Sequence, residues 1–180
     1  RLPFLKNPNP TLSELRDQLA VVHQKEKIFN STVLDNIVLS SDPKEIEDKV
    51  QIMQALGCLP LFQDLSQGLL TLCGEEGRNL SGGQRQLVGL VRALVKQPKI
   101  LILDEATSAL DNKTENEVMD SLELIGRRCT TIVIAHRLST IRFCDRIYEF
   151  NQGKIVASGT YEQLQQRSAS FRELVDLQRR

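Results

Sequence analysis

The most constraining feature of this sequence is a glycine-capped helix followed by an apolar segment that ends in two carboxylates. Ser81-Gly82-Gly83-Gln84 has the form of a capping box, with the serine as N-cap and the glutamine three residues later. Apolar residues then recur at helical spacing up to Pro98. Residues 100–103 are continuously apolar and lead directly into Asp104 and Glu105. Exposed glycine amides at a helix N-terminus and carboxylates at a strand end are suited to a nucleotide phosphate and its metal.

Short apolar segments alternate with helix-length polar segments, which predicts an α/β fold with a parallel sheet. Residues 19–23, 100–103 and 130–135 are the candidate strands. The second is apolar throughout, which is typical of a strand covered on both faces. A hairpin is predicted within residues 145–157, where Asn-Gln-Gly separates two further strand-like segments.

Capping residues predict where the remaining helices begin. Ser, Thr and Asp side chains accept hydrogen bonds from the free amides of a first helical turn, and an acidic or amide residue nearby strengthens the prediction. On this basis helices are expected to begin at Thr11, Asp42, Asp111, Thr160 and Ser170.

The composition narrows the class of function. Lys plus Arg equals Asp plus Glu at 23 each, so no excess of positive charge favours a nucleic-acid partner. The four cysteines, at positions 58, 73, 129 and 144, lack the spacing of a zinc site and are expected to be reduced core residues. No apolar segment approaches the roughly 18 residues that a membrane span needs. Contact with a membrane is therefore expected through a partner surface.

The order of these motifs resembles the ATP-binding domain of ABC transporters. Leu80 to Gln84 is similar to the LSGGQ signature, Ile100 to Glu105 to the Walker B strand with its following glutamate, and Ser108 to Asp111 to the D-loop. Three motifs in this order within about thirty residues are a far more specific signal than any one of them. Thr71 to Gly77 and the residues after Gln24 are similar to the exporter form of the family.

The two carboxylates take different roles under this resemblance. Neighbouring residues on a strand point to opposite sides, so Asp104 and Glu105 share a role only if the strand ends between them. One is a candidate for Mg²⁺ and the other for the attacking water. The resemblance implies Asp104 for the metal and Glu105 for the water. It also implies that Gln24, as the Q-loop glutamine, contacts the metal, and that His136, as the H-loop histidine, donates a hydrogen bond to the γ-phosphate of ATP.

The resemblance also implies that the nucleotide site is shared between two chains. Ser81, Gly82, Gly83 and Gln84 would surround the γ-phosphate of an ATP held by a second ATP-binding domain, and Ser108 and Asp111 would lie at the same junction. Two-fold association, with an identical or a different second chain, is then part of the mechanism. The exporter-like loop at 71–77 would contact transmembrane domains.

One motif of the family is missing from these 180 residues. ATPases of this class hold the nucleotide with Gly-x-x-x-x-Gly-Lys-[Ser/Thr], the Walker A loop, and no such string occurs here. In the family that loop precedes the Q-loop, so the chain is expected to match the C-terminal part of the domain. We expect apolar faces of the sheet to be uncovered, and the isolated chain to be inactive.

The resulting prediction is an α/β fold: a partial P-loop NTPase parallel sheet with an inserted ABC helical subdomain. Residues 1–24 are expected to form the lead-in and first core strand, 25–97 the helical subdomain, and 98–180 the C-terminal half of the ATPase core. With ATP and Mg²⁺, the complete protein would drive an exporter from the cytoplasmic face of a membrane. Two alternatives stay open at this point, a soluble DNA-repair type of ABC ATPase and a non-catalytic remnant or regulatory partner.

Overall fold

The computed structural model describes residues 11–126, 129–135, 137–142 and 144–178. Within these ranges the α-helices are α1 (Leu12–Asp17), α2 (Val33–Val38), α3 (Pro43–Ala55), α4 (Gly82–Leu94), α5 (Asn112–Gly126), α6 (Leu138–Arg142), α7 (Tyr161–Arg167) and α8 (Ala169–Gln178). Three short 3-10 helices lie between α3 and α4, at Leu59–Phe62, Gly68–Leu70 and Glu75–Gly77. The strands are β1 (Leu19–Val22), β2 (Ile100–Asp104), β3 (Thr130–Ile134), β4 (Ile147–Asn151) and β5 (Lys154–Gly159). The chain divides into two compact units, and the boundary falls after Ile134.

The first unit is built around a parallel sheet with the strand order β1-β2-β3. In its register Val21 pairs with Ile102, which pairs in turn with Ile132. Because the three strands run in the same direction, their carboxyl ends lie at the same end of the sheet. Ligands bind at that end in open α/β sheets. The α/β class and the parallel sheet predicted from the sequence are confirmed.

One face of this sheet lies against the hydrophobic core. Ala20, Val22, Leu101 and Leu103 are each 5% exposed or less, and they belong to one cluster with the apolar side of α4. These positions alternate along β1 and β2, as the period of a strand requires. Packing of α4 on this face brings the N-terminus of that helix into the same unit as the strand ends.

The opposite face of the sheet is apolar and exposed. Val21 is 36% exposed, Ile132 48% and Ile134 51%, while Ile102 between them is only partly buried. The prediction that β2 is covered on both faces is therefore wrong for the described residues, because its continuous apolarity does not by itself supply a covering element. The prediction that apolar faces of the sheet are uncovered is confirmed, among the described residues, for this face and not for the face that α4 covers.

A buried asparagine ties the segment after β1 to the helices of this unit. The Asn36 side chain accepts a hydrogen bond from the Phe29 amide at 2.8 Å and donates to the Phe29 and Thr32 carbonyls, both at 3.0 Å. From α4, Arg92 donates to the Asn36 carbonyl at 2.7 Å and pairs with Glu26 at 3.4 Å. Burial lowers the pKa of the Arg92 guanidinium, and Glu26 opposes that shift. The chain that leaves β1 is thus fixed to α4.

The second unit has its own small core. Its buried members are Tyr161, Leu164, Phe171 and Val175, and the rings of Tyr161 and Phe171 meet edge to face with centroids 5.5 Å apart. The antiparallel pair β4 and β5 confirms the predicted hairpin. No helix among the described residues is both long enough and apolar enough to cross a bilayer.

Most of the predicted helix starts are confirmed, and one is wrong. The side chain of Ser168 accepts a hydrogen bond from the Phe171 amide at 3.2 Å. Ser168, and not the predicted Ser170, is therefore the N-cap of α8, whose first helical residue is Ala169. A serine two residues upstream therefore takes the capping position. The residues whose side chains cap helices as predicted are Thr11, Asp42, Ser81, Asp111 and Thr160.

Candidate functional site

The two carboxylates at the end of β2 are separated by a change in backbone conformation. β2 ends at Asp104, and Glu105 has a φ of 50°, in the left-handed region that non-glycine residues rarely adopt. The Glu105 amide donates to the Ile134 carbonyl at 2.9 Å, and its carbonyl accepts from the Ser108 amide at 3.1 Å. Such a conformation costs about 1–3 kcal/mol and persists where its surroundings hold it. The strand therefore ends between the carboxylates, as their assignment to one site requires.

Glu105 is joined to the end of the neighbouring strand by a side-chain hydrogen bond. Gln24, two residues after β1, donates from Nε2 to Glu105 Oε2 at 3.0 Å. The two residues are 81 positions apart in sequence, and the parallel pairing of β1 with β2 brings them together. Because the amide nitrogen of Gln24 is directed at Glu105, the amide oxygen is the atom of that side chain that can bind a cation.

A third glutamine, which the sequence analysis did not single out, links this pair to α4. Gln86 is 2% exposed, and its Nε2 lies 3.3 Å from the Gln24 carbonyl, 3.2 Å from the Glu105 carbonyl and 3.1 Å from Ser108 Oγ. Its Oε1 accepts from the Ala109 amide at 2.8 Å. The sequence feature that could have identified Gln86 is an amide side chain on the apolar side of α4, four residues before the buried Leu90. That position calls for polar partners.

The N-terminus of α4 has the reciprocal cap that its sequence predicts. Ser81 Oγ accepts from the Gln84 amide at 3.1 Å, and Gln84 Oε1 accepts from the Ser81 amide at 2.8 Å. The amides of Gly82 and Gly83 belong to the first helical turn, where amides have no partner within the helix. Together with the positive end of the helix dipole, they are suited to an anionic oxygen.

The two glycines differ in what surrounds them. A Cβ atom on Gly83 would lie 2.8 Å from the carbonyl oxygen of Ala109, whereas one on Gly82 would meet nothing closer than 3.8 Å. Gly83 therefore allows the backbone at Ala109 to pack directly on α4. The segments that resemble the signature and the D-loop are in contact within this chain.

Asp111 lies at the far end of that segment and caps α5. Its carboxylate accepts from the Thr114 amide at 3.1 Å, the Thr114 hydroxyl at 2.8 Å and the Lys113 amide at 3.0 Å. These bonds, those from Thr114 foremost, hold the pKa of Asp111 below its ordinary value. Asp111 is thus an ionised N-cap, and its contact with a nucleotide stays a prediction.

The candidate metal ligands are oxygen donors, as Mg²⁺ requires. Asp104 supplies a carboxylate and Gln24 an amide oxygen, and among the described residues no group of three or more His, Cys, Asp or Glu forms a cage for a metal. Mg²⁺ commonly takes one or two protein ligands, with phosphate and water completing its octahedron. The residues fit that mode of binding. His136 lies outside the described residues, so its predicted role rests on the sequence.

Comparison with known proteins identifies the family. The family model described as "ABC transporter" matches residues 5–108, more than half of the chain. The chain is 41% identical over 170 residues to the ABC multidrug transporter MDR2 of Trichophyton rubrum, covering 93% of this chain and 13% of that protein. It is 42% identical over 171 residues to the ATP-dependent lipid A-core flippase of Haemophilus ducreyi, covering 93% of this chain and 29% of the flippase.

A solved structure agrees with these relatives. A bacterial Atm1-family ABC exporter with ATP bound superposes with a TM-score of 0.82 at 36% identity, over 93% of this chain and 30% of that one. The chain thus spans less than a third of the length of each of these proteins. It belongs to the ABC transporter family and is similar to part of an exporter-type ATP-binding domain.

Proposed function

We propose that this chain is part of the ATP-hydrolysing domain of an ABC exporter and couples ATP hydrolysis to transport across a membrane. The observation that carries the proposal is the convergence of Gln24, Glu105 and Gln86 at the carboxyl end of the parallel sheet. The named relatives, a multidrug transporter, a flippase and an exporter, support the same class of function.

In this proposal Glu105 aligns the attacking water and accepts its proton. The hydrogen bond from Gln24 holds one carboxylate oxygen, and the left-handed backbone of Glu105 follows directly on the last residue of β2. Asp104 and the amide oxygen of Gln24 would hold Mg²⁺, which when bound neutralises charge on the transferred phosphoryl group. His136 donates to the γ-phosphate.

The helix N-terminus at Ser81–Gln84 serves the nucleotide of a second ATP-binding domain. Its glycine amides and the Ser81 hydroxyl are the groups that would meet a γ-phosphate, and Ala109 and Leu110 lie beside the two glycines. Two chains closing face to face would thus complete two sites, with the second chain either identical or different. Ser108 and Asp111 lie at that junction.

Transmembrane domains would dock on the helical subdomain, which we place at residues 25–97 between the lead-in of 1–24 and the core half of 98–180. Leu70 and Leu72 are each 61% exposed, and Leu72 pairs with Thr32 of the segment that follows Gln24. A surface connected in this way to Gln24 can pass movement between the nucleotide site and a membrane partner. The domain would accordingly work at the cytoplasmic face of the membrane.

The isolated chain is expected to bind ATP very weakly and to hydrolyse none, because no Walker A string is present to hold the β- and γ-phosphates. Calorimetry with ATP and Mg²⁺ tests this expectation, and micromolar affinity would contradict it. The longer protein that carries the chain is expected to hydrolyse ATP. A purified longer protein, folded and dimeric but without ATPase activity, would contradict the proposed function.

A further inference from the structure

The carboxamide of Gln86 uses both of its ends to join three segments. Its nitrogen donates toward the carbonyls of Gln24 and Glu105 and to the Ser108 hydroxyl, at 3.1–3.3 Å. Its oxygen accepts from the Ala109 amide at 2.8 Å. The side chain is 2% exposed, so these groups replace water as its partners. The three segments are the loop after β1, the end of β2 and the chain that packs against the α4 N-terminus.

The groups that Gln86 contacts belong to the proposed chemistry. One is the carbonyl of Glu105, whose left-handed backbone directs the water-activating side chain. Another is the carbonyl of Gln24, whose own side chain holds the Glu105 carboxylate. A small displacement of Gln86 would therefore move Glu105 through its backbone and through its hydrogen-bond partner together.

Gln86 also lies close to the phosphate-facing end of α4. It follows Gly82 by four residues on the same helix, so about one helical turn separates the glycine amides from the carboxamide. One turn of a hydrogen-bonded helix moves as a rigid unit. Movement of the α4 N-terminus therefore displaces Gln86 as well. The backbone carbonyl of Ala109 in contact with Gly83 adds a second connection between the same segments.

We propose that Gln86 is a positioning residue that couples the two nucleotide sites. When the α4 N-terminus of one chain closes on the nucleotide of the second chain, Gln86 sets the position of Glu105 in its own site. This inference rests on the proposed function and extends it. It assigns to one side chain the coupling between closure of the shared site and the position of the water-activating carboxylate.

The test is steady-state ATP hydrolysis by the longer protein that carries this chain, with Gln86→Leu and Gln86→Glu. Displacement of a catalytic group by about 1 Å can cost on the order of 100-fold in rate, so kcat is expected to fall about 10- to 100-fold. KM for ATP should change by less than about threefold, since Gln86 faces backbone and Ser108 rather than phosphate. Gln86→Glu keeps the acceptor for the Ala109 amide, and the Ser108 hydroxyl can donate to the new oxygen, but that oxygen faces the Gln24 and Glu105 carbonyls, so its loss should be similar to that of Gln86→Leu.

A matched control separates positioning from general destabilisation. Met53 in α3 is a fully buried side chain of the hydrophobic core of the first unit, and the proposed site does not include it. Met53→Ala is expected to lower the melting temperature and leave kcat per folded molecule within about twofold of the parent. Equal losses of kcat in Met53→Ala and Gln86→Leu would overturn the proposal.

Coupling is tested by combining Gln86→Leu with Ser81→Ala, which removes the cap at the α4 N-terminus. If Gln86 carries the coupling, the losses of kcat will be non-additive, whereas additive losses would overturn it. Glu105→Gln is assayed alongside to distinguish failure of the proposed function from failure of the coupling role of Gln86. If Glu105→Gln retains parent activity, the proposed function fails. If Glu105→Gln is inactive while both Gln86 variants keep the parent kcat, the coupling role alone fails.

Discussion

Replacing Gly83 by alanine should destabilise the protein more than the same replacement at Gly82. Both residues lie in the first turn of α4, and neither has a positive φ. A new Cβ at Gly83 would lie 2.8 Å from the carbonyl oxygen of Ala109, where ordinary contacts begin at 3.4 Å, so the backbones must separate by about 0.6 Å. At Gly82 the nearest atom is the Ala109 Cβ at 3.8 Å, and no movement is needed.

The size of the difference follows from two opposing effects. Alanine in place of glycine favours a helix by up to about 1 kcal/mol, and less near a helix end. Overpacking a well-packed contact costs about 1–3 kcal/mol. Gly82→Ala is therefore expected to be neutral or slightly stabilising, while Gly83→Ala loses up to about 2 kcal/mol overall. At roughly 2–4 °C per kcal/mol for a protein of this size, the two melting temperatures should differ by several degrees.

Differential scanning calorimetry of both variants, measured in the same background and buffer, gives this difference directly. Because helix propensity acts on both positions, Gly82→Ala is the control for everything except the close approach of the Ala109 carbonyl oxygen. Equal melting temperatures, or a more stable Gly83→Ala, would refute the close packing of the Ala109 backbone on α4. A lower kcat in Gly83→Ala than in Gly82→Ala is also expected, because Gln86 bonds the same backbone at the Ala109 amide.

Two further predictions concern stability away from the strand ends. Gly89→Ala would place a Cβ 2.1 Å from Glu26 Cγ and so disrupt the ion pair with Arg92. Helix propensity returns about 1 kcal/mol of the overpacking cost, so the expected net loss in urea unfolding is up to about 2 kcal/mol, and a more stable variant would contradict that contact. A hydrogen bond from the Ser31 hydroxyl, above all, lowers the pKa of Asp35. The contribution of the ionised Asp35 carboxylate to the free energy of unfolding is therefore complete above the unfolded pKa of about 3.9. It disappears as the pH falls through the lower pKa of the folded state. Asp35→Asn should reduce stability at pH 6 and flatten the loss below about pH 4, and an unchanged acid profile would contradict the assignment.

Features set by neighbouring residues were predictable from the sequence. The capping box of Ser81 and Gln84 depends on residues three apart, and the strand at 100–104 depends on a local run of apolar side chains. The wrong prediction for the start of α8 also has a local cause, because both Ser168 and Ser170 are candidates for one capping position. Ser168, whose hydroxyl accepts a hydrogen bond from the Phe171 amide, takes the capping position, and α8 begins at Ala169.

Features set by distant residues were not predictable in the same way. The role of Gln86 depends on partners up to 62 positions away, and helical periodicity identifies only that an amide lies on an apolar side. The left-handed backbone of Glu105 likewise follows from hydrogen bonds with Ile134 and Ser108, which the sequence pattern does not contain. The exposed face of the sheet depends on which elements pack there, a property that the composition of β2 does not determine.

The central claim is that Glu105 activates the water at a site which a second chain completes. The most direct measurement is single-turnover ATP hydrolysis by the longer protein carrying Glu105→Gln, with ATP binding measured on the same sample. Glutamine keeps the shape of the side chain and an oxygen to accept the hydrogen bond from Gln24, but it cannot take up a proton. Hydrolysis should therefore fall by about 10²- to 10⁴-fold while ATP affinity stays within about threefold. Hydrolysis at the parent rate would contradict the claim.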